Sequence, residues 1–261
     1  MKLFNNKTLM FLLLIITASG YVVSCKHDDQ LLPPPAATGT TITRGTAIHL
    51  AGVTVGDTTT WKVDKAHSSV LWSTNYVGAA GLLTGRFNQF GVHDVTDAKM
   101  INYVTTGQPL VDTSWAFYEN EPSKTYFNGY VQINTSNTGE PGRDAGCNVS
   151  GMGTTAIVVG TQNLTVSNLA KIKSTEVKFD PLSNEYIVTL TLTWGGKLAA
   201  PISKTVVGKL KYIPKAKAST GTYSVFGLQL KFQFNCRDFG ITSTSISDKI
   251  DMEVNINLNN K

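Results

Sequence analysis

The sequence predicts an all-β protein, an antiparallel lipocalin-like barrel of about eight strands with at most one short helix. Three observations carry the prediction. Runs of alternating apolar and polar residues recur from Trp61 to Leu258, helical periodicity is nearly missing there, and turn residues separate the runs. Side chains alternate across a strand, so a period of two marks one buried and one solvated face. Many such runs in one stretch fit a single barrel or sandwich.

The chain has 261 residues, of which 41% are apolar and only 16% charged. That supplies a sizeable core. Residues 1–24 read as a signal peptide: "MKLFNNK" is basic and "LMFLLLIITASG" apolar. The apolar stretch is shorter than the roughly 20 residues of a membrane-spanning helix. It ends at "VVSC", which resembles a bacterial lipobox. The resemblance implies acylation of Cys25 and an outer-membrane lipoprotein on the periplasmic side or cell surface. "CKHDDQ" reads either as a surface-export signal or as a solvated tether. Residues 25–58 form a Pro/Thr-rich tether, since "LLPPPAATGTTITRGT" lacks apolar periodicity. Lys2 and Lys7 account for two of the five net positive charges, leaving +3 after cleavage. A charge so mild does not suggest nucleic acid.

Residues 59–261 form the barrel domain. Extended runs are expected at 61–64, 68–77, 82–90, 92–104, 113–118, 126–134, 175–180, 184–194, 203–213, 222–235 and 248–258. "SVLWSTNY" sets Val70, Trp72, Thr74 and Tyr76 on one face. "FNGYVQI" does so for Phe127, Gly129, Val131 and Ile133. "EYIVTLTLTW" sets Val188, Leu190, Leu192 and Trp194 opposite Ile187 and three threonines. "SVFGLQLKFQF" aligns Phe226, Leu228, Leu230, Phe232 and Phe234, and "KIDMEVNINL" aligns Ile250, Met252, Val254, Ile256 and Leu258. "DPLSN" and "GG" mark turns. "VSNLAKIKS" is expected as the one short helix, and "KLKYIPKAKA" as a solvated hairpin end.

Five motifs recur in a recognisable order: "WKVDKAHSSVLWS", "LLTGRFNQF", "INTSNTGEPGRD", "LTLTWGGKLAAPI" and "NCRDFGI". In that order they resemble the YceI-like family over residues 61–258. The resemblance implies a lipocalin-like barrel that binds polyisoprenoid lipids. Asp64, His67 and Ser68 match the first motif, and Gly85, Arg86 and Phe87 the second. Arg143 and Asp144 match the third, Leu192 and Thr193 the fourth, and Asp238, Phe239 and Gly240 the last. The chain departs from the pattern at Gly146, Cys147 and Cys236, where the family usually carries His, Leu and Arg. Two cysteines remain once Cys25 is acylated, both at departures from the pattern. A Cys147–Cys236 disulfide is therefore expected, against the alternative of two buried thiols.

Val70, Trp72, Phe87, Phe90, Trp115, Phe117, Phe226, Leu228, Phe232 and Phe234 are the expected ligand-binding lining. Each aromatic can bury on the order of 150–250 Å². An eight-stranded barrel is either filled by such side chains or holds one small ligand. The resemblance favours a cavity. Asp64, His67, Arg86, Arg143, Asp144 and Asp238 are expected at a polar rim. Arg86 either meets a ligand head group or pairs with Asp144 or Asp238. Ser68 adjoins His67 on the opposite face, so no catalytic set is expected. His93 is read as no site, and no metal or cofactor is expected. The leading expectation is a membrane-tethered, non-enzymatic carrier of an apolar lipid such as a polyisoprenoid or quinone. The alternative is a surface interaction or adhesion module using the barrel as scaffold.

Overall fold

The computed structural model describes residues 62–78, 81–92, 115–118, 121–141, 144, 169–195, 200–218 and 220–261. Twelve strands lie among them: β1 (Lys62–Val63), β2 (Ser69–Asn75), β3 (Leu82–Phe87), β4 (Phe90–Gly91), β5 (Trp115–Ala116), β6 (Tyr126–Gln132), β7 (Ser136–Asn137), β8 (Leu169–Asp180), β9 (Glu185–Trp194), β10 (Ile202–Lys217), β11 (Ser224–Asn235) and β12 (Lys249–Asn259). The hydrogen-bonded order is β4-β6-β8-β9-β10-β11-β12-β2-β3-β7, with β1 added to β12 and β5 to β6.

That order returns to its starting point. Only Asn88 and Gln89 separate β3 from β4, and the short turn Ile133–Thr135 separates β6 from β7. Arg86 and Phe87 pair with Asn137 and Ser136, while Phe90 and Gly91 pair with Val131 and Tyr130. Between the two pairings, Asn88 N–H donates to Thr135 O at 3.1 Å and Gln132 N–H to Gln89 O at 2.9 Å. One interrupted strand, β3–β4, therefore runs against another, β6–β7. Counted this way, eight antiparallel strands among the described residues curl into a ring, with these pairings at its seam.

Burial follows the alternation. Along β9 every second residue, from Tyr186 to Trp194, is buried. On β11 the inward residues Phe226, Leu228, Leu230, Phe232 and Phe234 are all buried. On β12 Ile250, Met252, Ile256 and Leu258 are buried, and Val254 is half-buried against them. Glycine is required at Gly85, the cross-strand partner of Trp72. A Cβ there would lie 2.5 Å from ring carbons of the indole.

The expected helix is corrected. Within "VSNLAKIKS", β8 begins at Leu169, six residues before the strand expected from 175. Val131 pairs with Ala170 on one side and Trp194 with Ala170 on the other. Two flanking strands decide the conformation over the local helix preference of Leu, Ala and Lys. A bulge between Ser174 and Glu176 resets the alternation. The Ser174 hydroxyl accepts the Phe127 N–H at 2.8 Å, and Thr175 donates to Thr189 O at 3.1 Å.

Each end of the ring carries an aromatic plug. At the lower end, the 3₁₀ turn Cys236–Phe239 packs inward. Phe239 stacks edge-on to Phe234 at 5.4 Å, and Phe234 lies 5.4 Å from Trp194. Arg237 staples this loop: its guanidinium donates to Asp248 Oδ1, Ile241 O and Ile246 O at 2.7–2.8 Å. At the upper end, Phe117 lies 5.7 Å from Phe127 and 6.0 Å from Tyr212, which stacks on Tyr186 at 4.8 Å. Thr125 holds that segment by accepting the Tyr118 N–H at 2.9 Å, and its hydroxyl lies 3.4 Å from the Tyr212 hydroxyl.

Candidate functional site

Between the two plugs the ring holds a partly open cavity of about 70 Å³. Its walls come from strands all round the barrel: Val70, Phe90, Phe127, Val131, Ile172, Leu192, Leu210, Leu228, Phe232, Met252 and Ile256 among them. Phe117 bounds it towards the upper plug, and Trp194 and Phe234 towards the lower. Apart from Asn128 and Tyr130, every residue bordering it is apolar or glycine. Space so lined stays dry and favours hydrocarbon. Gly91 and Gly129 help to leave it open. A Cβ on Gly129 would stand 3.3 Å from Ile172 and 3.4 Å from Gly91 O.

The expected lining divides in two. Val70, Phe90, Phe117, Leu228, Phe232 and Phe234 border the cavity. Trp72, Phe87, Trp115 and Phe226 are buried but stand away from it, as filled core. Trp72 lies over Gly85 and donates its indole N–H to Ser136 Oγ at 2.8 Å. It is a strut of the barrel seam. Sequence reasoning left out Phe127, Leu192, Trp194, Met252 and Ile256, though each sits on an inward face that the alternation had already identified.

The rim residues do not form one site. At the upper end, His67 Nδ1 and Asp64 Oδ2 are 2.8 Å apart. Burial alone would raise the Asp64 pKa, but the hydrogen bond and charge of His67 outweigh it and hold the carboxyl below its usual value. The Ser68 hydroxyl donates to Asp64 O at 2.7 Å and accepts the Asn257 N–H at 2.9 Å. Asn257 Nδ2 also donates to His67 O. Together these groups tie the 3₁₀ turn Lys65–His67 to β12. Ser68 is engaged with backbone, and His67 with Asp64.

Arg86 is exposed on the outward face of β3, opposite Asn137. Asp144 does not pair with it. Its carboxylate accepts from Thr138 N–H at 3.0 Å and from the Thr138 hydroxyl at 2.8 Å, closing a local loop. Asp238 is exposed in the lower loop, where its neighbour Arg237 makes the structural contacts. Cys25, His93, Arg143 and Cys147 lie outside the described residues. Cys236 is a free, buried thiol whose pKa is raised by burial, and it donates to Ser247 O at 3.6 Å.

Among the described residues, Lys65 stands close to the cavity wall. The Lys65 ammonium lies 5.9 Å from the centroid of the Phe90 ring, and Phe90 borders the cavity. Burial lowers its pKa to about 8. A second, open depression of about 1060 Å³ lies on the outer surface, bordered by Leu71, Leu82, Arg86, Val207, Lys209, Lys231 and Glu253. Among the described residues, no group of His, Cys, Asp and Glu is arranged to hold a metal ion. No described helix is long and apolar enough to cross a membrane.

The family model described as the YceI-like domain matches residues 61–259. Among solved structures, the chain is similar to BcnA of Burkholderia cenocepacia, at 16% identity and a TM-score of 0.44, covering 75% of this chain and 99% of that one. It is also similar to a mutant CJ YceI protein made for nanotechnology applications, at 19% identity and a TM-score of 0.44, covering 77% and 97%. No curated protein matches.

Proposed function

The chain belongs to the YceI-like family of lipocalin-like barrels, and from that premise we propose that its barrel carries an apolar lipid, such as a polyisoprenoid or quinone, without acting on it chemically. The observation that supports this reading is the dry cavity, with walls drawn from β2, β4, β6 and β8 to β12. A filled eight-stranded barrel needs no such space. Affinity would come mainly from apolar surface leaving water, about 0.8 kcal/mol per buried methylene before the costs of association.

The space as it stands holds only a short length of hydrocarbon, so a longer chain would enter where an aromatic end gives way: Phe117 against Phe127 and Tyr212 at the upper end, or Phe239 against Phe234 and Trp194 at the lower. The lipobox-like "VVSC" further supports an anchor on Cys25 that keeps the barrel at the outer membrane.

A surface interaction module is the second reading. It draws on the outer depression, where Leu82 and Val207 are 58% and 60% exposed. The experiment that separates the two is solvent extraction of the purified full chain, followed by mass spectrometry. A stoichiometric isoprenoid, quinone or acyl lipid supports the carrier. A lipid-free chain that takes up none of these when they are supplied removes it.

A further inference from the structure

We infer that Phe239, the aromatic of the "DFG" motif, sets the longest apolar chain that the cavity accepts, although it does not itself border the cavity. The inference rests on the carrier reading and narrows its ligand class by chain length. At its lower end the cavity stops against Trp194 and Phe234. Phe239 backs both, 6.3 Å from the Trp194 ring and 5.4 Å edge-on from Phe234. Trp194 and Phe234 also touch each other at 5.4 Å, so the three rings form one stack. Phe239 is 2% exposed, and Ile241 and Ile246 of the same loop are buried too.

The turn that carries Phe239 is held from several sides. Cys236 N–H donates to Asp248 O at 2.7 Å, and Asn235 Oδ1 accepts the Arg237 N–H at 2.9 Å. The Arg237 guanidinium adds its bonds to Asp248, Ile241 and Ile246. Gly240 closes the turn at φ 71°, where a side chain would be strained, and its N–H donates to Arg237 O at 3.2 Å. For Trp194 or Phe234 to move aside, Phe239 must move as well, and these bonds oppose that. The apolar tail of the ligand therefore ends at this stack, and its head lies towards Phe117. Each methylene taken into the cavity strengthens binding about fourfold. A methylene that meets the stack gains nothing further, so affinity stops rising at one chain length. Truncating Phe239 moves that limit outward, because the space left behind a core side chain closes only in part.

The test is calorimetric titration of the full chain with two series, straight-chain alcohols from octanol to eicosanol and the prenols geraniol, farnesol and geranylgeraniol. In the unaltered chain affinity should climb with length and then level off. Phe239→Ala should move the levelling point by roughly two carbons or more and leave the shorter members nearly as they were. Phe239→Leu should move it the same way by less, and it decides the matter if circular dichroism shows that Phe239→Ala does not fold. Phe117→Ala should leave the levelling point in place. A uniform loss of affinity at every length in the Phe239 variants marks a structural role alone and overturns the inference. A levelling point moved by Phe117→Ala and not by the Phe239 variants puts the tail at the other plug and overturns it as well. If no member of either series binds, the carrier reading fails and this inference with it.

Discussion

The indole N–H of Trp72 on β2 reaches across β3 to donate to the hydroxyl of Ser136 on β7, at 2.8 Å. The ring lies over Gly85 to do so. The bond spans the seam at which the two interrupted strands close the barrel. Trp72→Phe should therefore destabilise the domain by about 1–2 kcal/mol, through a lost bond and an orphaned buried hydroxyl. Gly85→Ala should cost about 1–3 kcal/mol by overpacking. Urea denaturation of both variants and of the double variant checks this. The Gly85→Ala penalty should shrink when Trp72 is already Phe.

Arg237 should be the keystone of the lower plug. Arg237→Ala leaves the carbonyls of Ile241 and Ile246 without their guanidinium donors beside buried side chains. The expected loss is about 2–3 kcal/mol, read by thermal or chemical unfolding. Asp248→Asn should cost less, because that contact is solvent-exposed.

Glu185 should make stability depend on pH. Its carboxyl is held below the usual value first by the hydrogen bond from Lys209, against burial, and then by Lys211. A depressed carboxylate stabilises the fold above its unfolded pKa and loses that effect as pH falls through the folded value. Glu185→Gln should therefore be less stable by about 1 kcal/mol at pH 7. The difference should fade at pH values below the ordinary glutamate range. An equal difference at acid pH would contradict this assignment.

Cys25→Ser should release the chain from membranes or leave its signal uncleaved, as fractionation and intact mass would read. For the other two cysteines, intact mass under denaturing, non-reducing conditions decides. Loss of two hydrogens marks a Cys147–Cys236 bridge, whereas two alkylated thiols exclude it. In the native state Cys236 should resist alkylation, being fully buried with a raised pKa.

Much of this architecture was legible because one face of each long strand is buried and the other is wet. β9 alternates without interruption, and β11 and β12 do so except at buried Gly227 and half-buried Val254, so their inward residues could be named from the sequence. The seam was not legible, since β3–β4 and β6–β7 break their ladders at Asn88–Gln89 and Ile133–Thr135. Cavity and core were also inseparable there. Phe226 and Phe232 share a strand, a face and a side chain, yet only Phe232 borders the cavity. That difference arises from what the upper and lower plugs fill.

On the carrier reading the ligand lies inside the ring and not in the outer depression. Photolabelling the full chain with a diazirine-bearing fatty acid, followed by peptide mapping, distinguishes the two places. Adducts should fall on inward residues of β11 and β12, such as Leu228, Phe232, Met252 and Ile256. Phe232→Asp should remove them while circular dichroism still reports folded β-structure. Adducts concentrated instead on Leu71, Leu82 and Val207 would contradict the claim and favour the surface module.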